Sequence, residues 1–123
     1  VFGEHRYYGT SMPFGDESFD RDNLEFLTVE QAMMDYVEFM LDFKTQHDLQ
    51  DRAVIVGGGS YGGMLSAWLR MKYPHVFQGA LAASAPILFF DGYVSPNAYD
   101  DIATNDYRKA DEQCPVMIKA GFD

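Results

Sequence analysis

The run Ala53-Val54-Ile55-Val56-Gly57-Gly58-Gly59-Ser60-Tyr61-Gly62-Gly63 constrains this chain more than any other stretch. An apolar segment rich in β-branched residues stops at consecutive glycines, which suits a short strand buried on both faces. A helix is predicted from about Tyr61 to Tyr73, ending there because the residue ahead of Pro74 is pushed out of the helical region. A second buried strand is predicted over Gly79-Ala80-Leu81-Ala82-Ala83-Ser84, closed by Pro86. Upstream, Thr28 is an N-cap candidate with Gln31 three residues on, a capping-box pattern. Val29, Ala32, Met33, Tyr36, Val37, Met40 and Phe43 then recur at helical spacing. Glu30, Asp35, Glu38 and Asp42 fill the opposite, solvated face, and Met33, Met34 and Met40 read as core filler. With Val1-Phe2-Gly3 taken as the end of a further strand, strands and helices alternate. That order predicts the α/β class, a parallel sheet with helices on its faces. From about Asp91 the pattern dissolves into Gly, Pro, Asn and Asp, then a charged stretch from Thr104 to Glu112. A boundary is therefore placed near Leu88 to Asp91.

The chemistry-bearing motif is Gly58-x-Ser60-x-Gly62, the nucleophile-elbow pattern, lying between strand and helix as that motif requires. A serine there must adopt a strained turn that lifts Oγ above the sheet. Strand and helix are expected to crowd the positions two before and two after it, so that only small residues fit. Helix initiation right after Ser60 also points free N–H groups at the reaction centre, placing the Tyr61 N–H to donate to a tetrahedral oxyanion. Gly57-x-Gly59-x-x-Gly62 satisfies a dinucleotide fingerprint as well. That reading expects an acid at the end of the next strand to bind a ribose, and Ala82-Ala83-Ser84-Ala85-Pro86 supplies none. A phosphate loop of the Walker type fails because no lysine follows the glycines.

Charge narrows the partners. Nine Lys and Arg against nineteen Asp and Glu give a net charge of −10 in 123 residues. Such a surface repels nucleic acid and anionic membranes, and no apolar run approaches the ~20 residues of a membrane span. Hydrophobic residues at 47% place the chain among globular sequences. The single cysteine, Cys114, is either a buried thiol or half of a bridge to a partner elsewhere. The opening Val1-Phe2-Gly3 reads as a strand already under way, without initiator Met or signal peptide, so an internal piece of a longer product is expected.

Four ordered blocks carry a resemblance. Glu4-His5-Arg6-Tyr7-Tyr8-Gly9-Thr10-Ser11-Met12-Pro13-Phe14-Gly15, Leu27-Thr28-Val29-Glu30-Gln31-Ala32, Gly58-Gly59-Ser60-Tyr61-Gly62-Gly63-Met64-Leu65-Ser66-Ala67-Trp68 and Gly79-Ala80-Leu81-Ala82-Ala83-Ser84-Ala85-Pro86-Ile87 cover most of residues 3–90. Together they resemble the lysosomal Pro-Xaa carboxypeptidase and dipeptidyl peptidase 2 family. More loosely, Thr104-Asn105-Asp106-Tyr107-Arg108-Lys109 with Cys114 resembles the start of that family's helical insertion. The resemblance implies a partial α/β-hydrolase core over 1–90 and the beginning of a helical cap over 91–123. It implies a serine exopeptidase cutting next to proline, lysosomal or secreted, with a Ser-Asp-His triad and no cofactor or metal. Ser60 would be the nucleophile, Tyr61 one oxyanion donor, and Met64 a wall of the proline pocket. Plain core packing is the competing reading of Met64. Cys114 would belong to a disulfide. The implied partners are a peptide with proline near the scissile bond and a homodimer of the full-length protein, with no nucleic acid and no membrane.

The base is the departure. In α/β-hydrolases Asp and then His follow the nucleophile in the chain; His5 and His47 precede Ser60, and His75 stands at the far end of the helix that Ser60 begins. At ~1.5 Å per residue that end is roughly 20 Å away. His5, beside Arg6, reads as structural. Asp91, Asp100, Asp101, Asp106, Asp111 and Asp123 follow Ser60, but without a histidine to orient none is assigned. Two other classes stay open: a truncated, non-catalytic hydrolase-fold paralogue, and a dinucleotide-binding module. A chain without its base is predicted to be inactive: the 123 residues made alone should not release residues from a proline-containing peptide at a useful rate. Release abolished by Ser60→Ala would overturn that prediction.

Overall fold

The computed structural model describes residues 1–122 and comprises two compact units, Val1–Pro86 and Ile87–Asp123. In the first unit, two short 3-10 turns lead into helix α1 (Val29–Gln46). Strand β1 (Ile55–Gly59), helix α2 (Tyr61–Lys72) and strand β2 (Gly79–Ala83) follow as one βαβ unit. β1 and β2 pair in parallel, with Ile55 opposite Gly79 and Gly59 opposite Ala83. The second unit holds α3 (Ala98–Ala110) and α4 (Cys114–Ala120).

Thr28 caps α1 as its sequence predicts: its hydroxyl accepts from the Gln31 N–H at 3.2 Å. The box is not reciprocal, because the Gln31 side chain accepts instead from the Arg6 guanidinium. The same guanidinium forms a two-bond bridge to Asp35 (2.6 and 2.7 Å) and donates to the Phe26 carbonyl at 2.8 Å. Asp35 is thus not one of the free carboxylates on a wet helix face. Paired donors and acceptors at these lengths are the strong, directional form of an Arg–carboxylate contact. They tie the first loop to the start of α1.

The core of this unit is Met33 and Val37 of α1, Leu65 and Leu69 of α2, and Val76 and Phe77 beyond it. Val54 and Val56 pack against it from the strand side. Met34, by contrast, is exposed, since it lies off the face that Met33 and Val37 share. The strands also differ from expectation. β1 begins two residues later than Ala53 and runs through the glycines, and its residues alternate between exposed and half-buried. Ile55 and Leu81 are each 67% exposed. A continuous apolar run implies cover on both faces, but among the described residues the helices cover one. Val1, Phe2 and Gly3 form no strand.

The charged stretch after Thr104 is helical, which the residue pattern from Asp91 did not show by itself, although the resemblance implied helices there. Few apolar residues mark α3; its charges do. Asp100 and Asp101 stand in the first turn and Arg108 and Lys109 in the last, each complementing the helix dipole. Cys114 opens α4, half-buried, its thiol unpaired. No helix among the described residues is long and apolar enough to cross a membrane.

The turn after Glu4 hangs on one carboxylate. Glu4 Oε2 accepts from the Ser11 hydroxyl (2.7 Å), the Thr10 N–H (3.0 Å) and the Thr10 hydroxyl (3.2 Å). These bonds favour the ionised form, Ser11 foremost, and hold Glu4 below the usual carboxylate range. A depressed folded-state value stabilises the turn above the ordinary carboxylate range and stops doing so as pH falls through the folded value. The Thr10 amide should therefore keep its hydrogen-exchange protection factor through weak acid and lose it only in stronger acid. Glu4→Gln should remove that pH dependence.

Candidate active site

Ser60 sits at the junction of β1 and α2 with φ 54° and ψ −122°. A left-handed φ is uncommon for any residue but glycine and costs about 1–3 kcal/mol. Its surroundings over-determine it. The Ser60 N–H donates to the Ala83 carbonyl at 2.9 Å, and the Ser60 carbonyl accepts from the Met64 N–H at 3.0 Å. One bond continues the sheet and the other opens the helix, so neither element can form fully while Ser60 relaxes. The residue itself is exposed.

Two backbone approaches explain the glycines. A Cβ on Gly58 would lie 2.3 Å from the Gly62 carbonyl oxygen, and one on Gly63 would lie 2.9 Å from the Ala83 oxygen. At Gly62 a Cβ would meet nothing within 4 Å. The crowding expected two residues after the serine falls one residue later, on Gly63, because it is Gly63 that faces the sheet where β2 ends. Of the adjacent glycines after Ser60-Tyr61, Gly63 is required by its approach to Ala83, whereas Gly62 contributes to the Gly58 contact only a backbone carbonyl that any residue would supply.

Tyr61 is the first residue of α2, so its N–H has no carbonyl four residues back within the helix. Beside an exposed serine hydroxyl, a free N–H of this kind can stabilise an oxyanion formed by attack on a carbonyl. Met64 lies one turn along, buried at 9% exposure. An apolar groove lined by Phe2, Tyr36, Ile55, Val56, Leu65 and Phe77 runs beside β1, and Ser60, Tyr61 and Met64 do not line it.

The Tyr61 side chain has a partner that sequence reasoning missed. Its hydroxyl is 3.0 Å from His5 Nε2, and the two rings are 5.7 Å apart. Burial raises the Tyr61 phenol above its usual value, with the Tyr8 phenol a smaller contribution. The other histidines lie elsewhere. His47 caps α1, its ring 4.3 Å from that of Phe43. His75 is exposed in the turn after α2, against Tyr73. Among the described residues no imidazole or carboxylate is bonded to the Ser60 hydroxyl. Asp123 lies outside the described residues. β2 ends at Ala83 without an acid, so the ribose ligand of a dinucleotide site is missing from its place. No group of His, Cys, Asp and Glu among the described residues could hold a metal ion.

The model of the serine carboxypeptidase S28 family matches residues 1–123. The mouse lysosomal Pro-X carboxypeptidase is 52% identical over all of this chain, which covers 26% of that protein. The human lysosomal Pro-X carboxypeptidase is 51% identical over all of the chain, covering 25% of it. A Caenorhabditis elegans prolyl carboxy peptidase like protein 5 is 47% identical over 89% of the chain, covering 22% of it. The chain spans about a quarter of the length of the curated relatives it matches.

The glycines give a paired test. Gly58→Ala should destabilise the protein by about 1–3 kcal/mol, the usual cost of overpacking against backbone, whereas Gly62→Ala should be tolerated. Denaturant midpoints of the two variants check this; equal losses would contradict the assigned contacts.

Proposed function

The chain belongs to the serine carboxypeptidase S28 family, and on that premise we propose that Ser60 is the nucleophile of a peptidase that cuts next to proline. The observation that carries the reading is the backbone of Ser60, held at a left-handed φ between a parallel strand and a helix. Ser60 Oγ attacks the carbonyl carbon of the proline residue and its proton passes to a histidine base. The carbonyl oxygen becomes an oxyanion that accepts from the Tyr61 N–H. Collapse expels the amine of the following residue, which takes the proton, and leaves a prolyl ester on Ser60. Water, deprotonated by the same base, then cleaves the ester and restores the hydroxyl.

On this reading the triad Asp and His, and the second oxyanion donor, come from parts of the protein beyond these residues. The βαβ unit belongs to an α/β-hydrolase core, residues 1–90, and residues 91–123 begin a helical cap. Met64 borders the proline pocket, supported by its place one helical turn past Ser60. The names of the mammalian relatives support removal of a carboxy-terminal residue after proline, and a lysosomal location.

In the full-length protein, a peptide with proline next to its last residue should release that residue as a free amino acid. Acetylating the amino terminus should leave the reaction intact, and amidating the carboxy terminus should suppress it. Ser60→Ala should lower turnover by about 10⁴-fold or more without moving the melting temperature. Turnover unchanged in that variant would refute Ser60 as the nucleophile.

A further inference from the structure

The contact between His5 and Tyr61 joins residues 56 positions apart, through the side chain of the residue whose N–H is one of the oxyanion donors in the reading above. Its hydrogen bonds have a direction. His5 Nδ1 lies 2.6 Å from the Arg6 carbonyl, and a carbonyl only accepts, so Nδ1 carries the proton. In the neutral ring Nε2 is then an acceptor, and the Tyr61 hydroxyl at 3.0 Å donates to it. His5 is held in turn: the Tyr8 ring stands edge-on to it at 5.2 Å, and Arg6 is anchored on Asp35.

Tyr61 needs such an anchor because of what precedes it. The Tyr61 N–H shares its peptide plane with the Ser60 carbonyl, which the Met64 N–H holds from one side at 3.0 Å, and any remaining rotation of that plane would turn the Tyr61 N–H away from the serine hydroxyl. Tyr61 is 41% exposed, so packing alone holds its side chain weakly. A phenol fixed at its far end resists the rotation.

We propose that His5 is a positioning residue for the oxyanion donor, acting through the Tyr61 hydroxyl to keep the Tyr61 N–H aimed; this rests on the peptidase reading above. An aimed N–H acts on the transition state more than on bound substrate. Its loosening lowers kcat and kcat/KM together and leaves KM in place. Loss of a whole oxyanion donor costs ~10²–10³ in kcat, so loosened aim should cost about tenfold.

The test uses the full-length protein with Tyr61→Phe, His5→Phe, their combination, and His5→Gln. Tyr61→Phe keeps the backbone N–H and loses only the hydroxyl. It and His5→Phe should each lower kcat about tenfold at constant KM. The double variant should be no slower than either single one, and His5→Gln, whose amide oxygen can accept from the phenol, should recover part of the loss. Effects that multiply in the double variant, or that fall on KM alone, would overturn the positioning role. Ring-nitrogen NMR separates this from failure of the peptidase reading. The His5 ring should show the proton on Nδ1, and its Nε2 signal should move in Tyr61→Phe. That paired ring in a protein with no peptide turnover would refute the peptidase reading and the catalytic role with it. An Nε2 signal indifferent to Tyr61→Phe would refute the pairing itself.

Discussion

The clamp on Ser60 organises the Val1–Pro86 unit. Its N–H extends the pairing of β1 onto β2 through the Ala83 carbonyl, and its own carbonyl accepts the first bond of α2 from Met64. A residue shared between a sheet and a helix cannot choose its dihedrals by local preference. The cost of its left-handed φ is borne by two elements that would each lose a terminal hydrogen bond if it relaxed. Ser60 is thereby held on the exposed side of the turn. The same clamp brings the start of α2 backbone to backbone against β1 at Gly58 and against the end of β2 at Gly63, which is why side chains are missing at both.

Arg6 performs the second long-range task. It ties the loop that follows Gly3 to Phe26, Gln31 and Asp35, and so places neighbouring His5 against Tyr61. The guanidinium suits this because its donors form a rigid planar fork, and Asp35 raises its affinity for the proton still further. Behind the loop, Glu4 gathers Thr10 and Ser11. The polar segment at the chain's beginning is thus no passive connection; it is folded around three charged or aromatic anchors next to the elbow.

Much of this was legible in the residues. The strand–glycine–serine–helix order predicted the βαβ unit and the elbow, and Thr28 announced the start of α1, because these are local signals with local causes. The exposed faces of Ile55 and Leu81 and the shift of crowding from Gly62 to Gly63 were not legible. Each depends on which neighbour lies across a gap of many residues, or on a rotation of α2 about its axis that the spacing of glycines does not encode.

The sequence by itself determined the class of the fold and the family, and singled out Ser60 as the candidate serine, since patterning and motif act over a few residues or in a fixed order. Only the tertiary structure decided that His5, excluded as a base by its place in the chain, meets Tyr61. Chain order constrains which residue can complete a triad, but contact between residues 5 and 61 is set by how Arg6 is bound to α1. Long-range electrostatic and hydrogen-bond partners are chosen by packing, and packing is a property of the folded chain.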